Sequence, residues 1–205
     1  MKKLFLTSSF TDVVELFVQS EKTELKGKTV TFIPTASIHE EVTFYVDAGK
    51  KVLQDLGLII DVLEISTATK NEISSKLESN DFIYISGGNT FFLLKELRRT
   101  GADELIKEQI NRGKPYIGES AGSVILSPNI EYVKEMDDFN AVADLVSFSS
   151  LSVIDFYPLP HYTNFPFQES TQKIMSNYMD AINLIPFSNA QVILVDGDKV
   201  ELVSV

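Results

Sequence analysis

Apolar positions along the chain fall into short compact runs separated by stretches in which they recur at helical spacing. Leu4-Phe5-Leu6-Thr7 is the first run, and Val13, Val14, Leu16 and Phe17 follow at i, i+3, i+4 intervals. Gly27 breaks the chain, and the β-branched run Thr29–Ile33 is stopped by Pro34. Phe44, Val46, Ala48, Val52, Leu53 and Leu56 predict a charged amphipathic helix ending near Gly57. Runs at Leu58–Leu63, Asp81–Ile85 and Lys114–Gly118 predict three further strands. A short helix is expected around Ile73 and Leu77, and a helical stretch over 90–112 interrupted near Gly101. Strands this apolar, alternating with helices, are those of a buried parallel sheet with helices on both faces. The expected fold is a doubly wound, three-layer α/β domain.

Beyond Leu126 the pattern loosens. Glu131, Glu135, Asp137, Asp138 and Asp144 mark an acidic stretch. Val153–Tyr157 reads as another strand leading to Pro160-His161, and Phe167 to Met179 as a last helix. Val192–Val195 and Val200–Val203, around Asp196-Gly197-Asp198, predict a terminal hairpin. With no repeat or linker, residues 1–205 are expected to form one domain, an ordinary size for this class.

Charge narrows the partners. A formal net charge of −11 without a basic cluster argues against nucleic acid. With no cysteine there is no disulfide, thiolate metal site or cysteine nucleophile. Lys2 and Lys3 ahead of a short apolar run imitate a signal peptide, but Asp12 and Glu15 follow too soon. No apolar stretch approaches the roughly 20 residues of a membrane span. The expected compartment is the cytoplasm, and the possibility of a homodimer stays open.

The chemistry concentrates in Gly118-Glu119-Ser120-Ala121-Gly122, a G-x-S-x-G pattern between a predicted strand and a predicted helix. That context lifts a serine hydroxyl clear of the sheet on a sharp turn and presents the following backbone N–H, on Ala121, to an oxyanion. A serine nucleophile needs a base, and the chain offers only His39 and His161. His161 follows the nucleophile and sits past a proline-stiffened strand end, so it is the expected base. His39, in a polar loop upstream, is expected at the surface or at a pocket rim. Glu135, Asp137, Asp138 and Asp155 all lie between Ser120 and His161, and spacing does not choose the acid that would orient the imidazole. Ser86-Gly87-Gly88-Asn89-Thr90 ends the fourth strand; its glycines can turn backbone N–H groups toward an anion, with Gly88 as second oxyanion donor. Asn89 or Thr90 is expected to cap the next helix, a role compatible with lining a substrate site.

At these residues the chain resembles the serine peptidase family of dipeptidase E (aspartyl dipeptidase) and cyanophycinase. The resemblance rests on Ile85–Thr90, on Gly118–Ser123 and on Pro160-His161-Tyr162-Thr163-Asn164, in the family's order. It implies a mostly parallel sheet like that of class I glutamine amidotransferases, a Ser120–His161 pair, and an oxyanion hole from Gly88 and Ala121. It implies cleavage of short peptides with no metal and no cofactor, and a substrate site that includes Asn89, Thr90, Glu131 and Asn164. Where the family has a third member, an aspartate fifteen residues past the nucleophile, this chain carries Glu135. Where aspartyl dipeptidases place arginines for an acidic side chain, it carries Glu131 and the Glu169-Ser170-Thr171 region, so strict aspartyl specificity is not expected. An esterase or amidase using the same site, or a catalytically silent binding protein on the same scaffold, are the competing expectations.

Overall fold

The computed structural model describes residues 1–139, 142 and 145–205; Asp144 of the acidic stretch lies outside them. Nine strands are formed in the described chain: β1 (Lys3–Thr7), β2 (Thr29–Ile33), β3 (Ile59–Val62), β4 (Phe82–Ile85), β5 (Tyr116–Glu119), β6 (Tyr157–Leu159), β7 (Leu184–Pro186), β8 (Gln191–Asp196) and β9 (Lys199–Ser204). The helices are α1 (Val14–Ser20), α2 (Phe44–Asp55), α3 (Lys70–Ser79), α4 (Thr90–Thr100), α5 (Ala102–Asn111), α6 (Ala121–Val124) and α7 (Gln168–Tyr178).

Seven strands make one sheet in the order β3-β2-β4-β5-β1-β8-β9. The first five are mutually parallel, with Phe32 opposite Tyr84 and Leu6 opposite Gly118 in register. The hairpin β8–β9 adds to β1 in the antiparallel sense. Side chains alternate across this sheet as the pleat requires. Phe5, Phe32, Tyr84 and Ile117 face Phe10, Phe17, Val46 and Leu53 of the layer containing α1 and α2. Leu6, Ile33, Ile85 and Tyr116 face the layer built by α3, α4, α5 and α6. The result is the expected three-layer α/β architecture.

Local chemistry explains the boundaries. Asn89 caps α4 by accepting the Phe92 backbone N–H at 2.9 Å. Gly101, at φ +77°, ends α4 and starts α5, the interruption expected there.

One expected strand moves. Val153, Ile154 and Phe156 are buried, but they pack in bends rather than in a ladder, and β6 begins only at Tyr157. An apolar run reports burial; pairing depends on a partner elsewhere. That partner is β7, a short strand the pattern did not reveal, and the two form a separate parallel sheet. β6 delivers the chain to Pro160 and His161, at the end of the main sheet where Ser120 emerges.

Candidate active site

Ser120 follows β5 directly and stands at φ +50°, ψ −107°, a conformation that non-glycine residues rarely adopt. Its backbone N–H is held by the Thr7 carbonyl at 2.8 Å, and its carbonyl accepts from Ser123 and Val124 in the turn into α6. The flanking glycines are required by close approach. A Cβ on Gly118 would lie 2.5 Å from the Gly122 carbonyl oxygen, and one on Gly122 would lie 2.2 Å from that of Ile85. The strand, the turn and the helix therefore pack backbone to backbone, and the serine is left half-buried at the carboxyl end of the central strand β5.

His161 meets it there. Its Nε2 lies 2.9 Å from the Ser120 hydroxyl, within the reach a general base needs. The residue is itself at φ +60° and is held by several contacts. Its N–H donates to the Ser8 hydroxyl at 3.0 Å, and Ser8 in turn donates to the Phe187 and Ser188 carbonyls. Its ring stacks on Phe167, with centroids 4.7 Å apart. Burial lowers the imidazole's pKa, offset in part by its bond to Asn189, so the neutral form is favoured.

The partner of Nδ1 is Asn189, whose Oδ1 lies 2.8 Å away. With that oxygen accepting, the ring proton sits on Nδ1 and Nε2 is free to accept from Ser120. Asn189 lies in the loop between β7 and β8, and Asn164 fixes it by accepting its backbone N–H at 2.9 Å. The structure thus assembles Ser120, His161 and Asn189, tied together from three separate loops.

The expected acid is elsewhere. Glu135 accepts from Lys173 of α7 at 2.6 Å, on the surface, so its expected place beside His161 is corrected. It sits in a short 3-10 segment, Glu131–Glu135, packed on α7. Asp155 and Asp138 are exposed, and Asp137 instead accepts the Thr90 backbone N–H at 2.8 Å. Asn189 comes after His161 in the chain, outside the interval in which an acid was sought, and it is not an acid. The polar Ser188-Asn189 pair just before the last hairpin was its one visible mark.

The glycine loop lies against the nucleophile: a Cβ on Gly87 would fall 3.3 Å from Ser120 Cβ and 3.4 Å from the Tyr45 ring. Gly88 stands at φ +129° and packs so closely on residues 36–37 that a Cβ would lie 2.2 Å from the Ala36 carbonyl oxygen. Asn89 and Thr90 are buried. The Asn89 amide donates to the Asp138 carbonyl at 2.8 Å and Thr90 meets Asp137, so both tie the segment around 137–138 to the start of α4. Besides capping α4, Asn89 donates its backbone N–H to the Ala36 carbonyl at 2.8 Å. Glu131 is exposed and pairs with Lys134 at 2.8 Å. His39 is exposed with its ring against Phe92, a surface position as expected.

The local field is negative. Burial and the carboxylates of Glu40, Glu119 and Asp137 push the Tyr45 phenol well above its ordinary pKa. Burial raises Asp137 to about 6. The arginines are engaged away from Ser120: Arg98 with the Ser147 and Ser149 carbonyls, Arg99 with Glu96, Arg112 with Glu108. Among the described residues no group of three or more His, Asp or Glu could hold a metal ion, and no helix is long and apolar enough to cross a membrane.

Residues 4–203 match the model of peptidase family S51. An uncharacterised peptidase of Listeria monocytogenes is 57% identical over 98% of this chain and 97% of its own length. A peptidase E of Nostoc sp. is 31% identical over 80% of this chain and 66% of its own. A crystal structure of a protein from Listeria monocytogenes EGD-e, described as a candidate peptidase E, superposes with a TM-score of 0.96. It is 56% identical and covers 100% of this chain and 99% of that one.

Proposed function

From a chain that belongs to peptidase family S51 and is a serine-type peptidase, we propose a mechanism in which Ser120 is the nucleophile, His161 the general base and Asn189 its positioning residue. The observation that carries the reading is the 2.9 Å contact between the Ser120 hydroxyl and His161 Nε2 on a backbone elbow at φ +50°. His161 takes the hydroxyl proton as Oγ bonds to the scissile carbonyl carbon. The negative oxygen that results is met by the backbone N–H groups of Ala121 and Gly88. The proton passes from the imidazolium to the amine as the C–N bond breaks, leaving an acyl-serine. Water then attacks the ester with His161 again as base, and Ser120 is restored. An asparagine in the third position holds the Nδ1–H tautomer without adding a charge. Each oxyanion donor is expected to contribute about 2.7–4 kcal/mol to the transition state.

The substrates are short peptides, without strict preference for an acidic residue ahead of the scissile bond. A carboxylate entering beside Tyr45, on which Glu40, Glu119 and Asp137 act, loses hydration among like charges. Lys173 and Lys134, the cations nearest in sequence to the expected specificity positions, are paired with Glu135 and Glu131. A fluorophosphonate should label the wild type and not Ser120→Ala, and hydrolysis of Leu-Leu, Ala-Leu and Lys-Leu should exceed that of Asp-Leu. Full activity in Ser120→Ala overturns the nucleophile, and a clear preference for Asp-Leu overturns the specificity.

A further inference from the structure

Among the described residues, three side chains are hydrogen-bonded to or stacked on the ring of His161, and the mechanism above uses two of them. Nδ1 meets Asn189 and Nε2 meets Ser120. The third is Phe167, whose ring lies along the imidazole face with centroids 4.7 Å apart and planes 25° from parallel. The backbone fixes that contact. The His161 carbonyl accepts the Asn164 N–H at 2.9 Å, and the Asn164 carbonyl accepts the Phe167 N–H at 2.8 Å. The Phe167 carbonyl accepts both the N–H of Thr171, at 2.9 Å, and its hydroxyl, at 2.8 Å. Thr171 is fully buried in α7. Successive turns and the first turn of α7 therefore hold the two rings together.

The chemistry gives the stack a task. His161 becomes positively charged as it takes the Ser120 proton. In a triad with an acid, a carboxylate stabilises that charge. Here the partner of Nδ1 is a neutral amide. The face of an aromatic ring is negative and attracts a cation within about 6 Å of its centroid, and the imidazole is inside that distance. We propose that Phe167 is a positioning residue for His161, whose π face stabilises the imidazolium formed as Ser120 attacks and so supplies part of what a carboxylate would. The inference rests on the reading of Ser120 and His161 given above. An aliphatic side chain would pack the imidazole equally well and leave its charge unmatched.

Other groups around the imidazole set the background for this effect. Burial lowers its pKa, the bond to Asn189 raises it, and the Asp12 carboxylate, from the turn after β1, favours the protonated form. From α7 it is met by Phe167, from the elbow by the Ser120 hydroxyl and from the loop before β8 by Asn189. The helix α7 starts at the residue after Phe167, and the partial positive charge of its N-terminus works against a cation nearby. Draining the π face should therefore lower the His161 pKa, moving the acid limb of the reaction to lower pH while slowing the reaction at its plateau.

The test follows His161 directly, on the full chain. The sequence holds two histidines, His39 and His161, so their ring protons can be titrated by NMR, with His39→Gln to assign them. Phe167 is replaced, at that position alone, by its 4-fluoro, 3,5-difluoro and 3,4,5-trifluoro analogues, which keep the ring and withdraw its π density. The His161 pKa should fall along the series, by at least about half a unit for the trifluoro ring. Phosphonylation of Ser120 by a fluorophosphonate forms the Oγ–P bond, expels fluoride and gives the hydroxyl proton to His161. Its rate at pH 8 should fall at least about threefold with the trifluoro ring. Phe167→Tyr keeps the π face and should stay within about twofold of wild type, whereas Phe167→Leu should follow the trifluoro protein. The fluorinated series decides the matter if Phe167→Leu does not fold. Wild-type protein that resists labelling overturns the reading of Ser120 and His161, and the inference with it. A labelled wild type whose His161 pKa and rate stay constant across the fluorinated series overturns the inference alone.

Discussion

At the scale of single residues, two asparagines carry the arrangement that acids were expected to supply. Asn189 bonds to His161 Nδ1, and Asn164 holds the Asn189 backbone. Replacing Asn189 by alanine removes a neutral hydrogen bond, worth about 1 kcal/mol, so kcat should fall by roughly five- to tenfold with KM little changed. Asn189→Asp puts a negative charge beside the imidazole and stabilises its protonated form. His161 then stays protonated to higher pH, and the acid limb that it controls should shift upward in a pH–rate profile. Glu135→Ala, which breaks only the surface pair with Lys173, should leave kcat/KM within about twofold of wild type. A large loss there would return Glu135 to the mechanism.

At the scale of elements, the site depends on how closely β5, the elbow and α6 approach β4. Gly122 is the tightest point, with its Cβ position 2.2 Å from the Ile85 carbonyl oxygen. That oxygen belongs to backbone and does not swing aside as a side chain would. Gly122→Ala should therefore cost about 1–3 kcal/mol or more of stability, read as a lowered urea midpoint, and should move Ser120 away from His161. Gly101→Ala is the control within the same layer. Its Cβ meets nothing within 4 Å, and only the positive φ opposes it, so the cost should stay near 1 kcal/mol with activity retained.

At the scale of the whole molecule, a net charge of −11 biases which peptides arrive. Acidic surroundings near Ser120 attract a cationic peptide and repel an anionic one, and added salt screens both effects over a Debye length of about 8–10 Å. Raising the ionic strength should lower kcat/KM for Lys-Leu and raise the small value for Asp-Leu, in stopped-time assays at fixed pH. Equal salt responses for the two would place the relevant charges beyond reach of the substrate.

The order of strands and helices through Asn111, the strand-to-helix turn at Ser120 and the approach of His161 to it were all legible in the sequence. Each rests on local rules: apolar periodicity, β-branched runs, glycine and proline breaks, and a nucleophile motif whose context is set by its immediate neighbours. The second half of the site was not legible. Val153–Phe156 has the apolar content of a strand and packs in bends, because pairing requires the β7 partner some thirty residues on. Glu135 has the spacing of a catalytic acid, but a 3-10 turn packed on α7 points it to Lys173. Asn189 reaches His161 only because β8 adds antiparallel to β1 and brings its preceding loop over Ser8 and Asn164. Which side chains meet across loops is decided by where the strands place the loop ends, and that is a property of tertiary packing that no local pattern encodes.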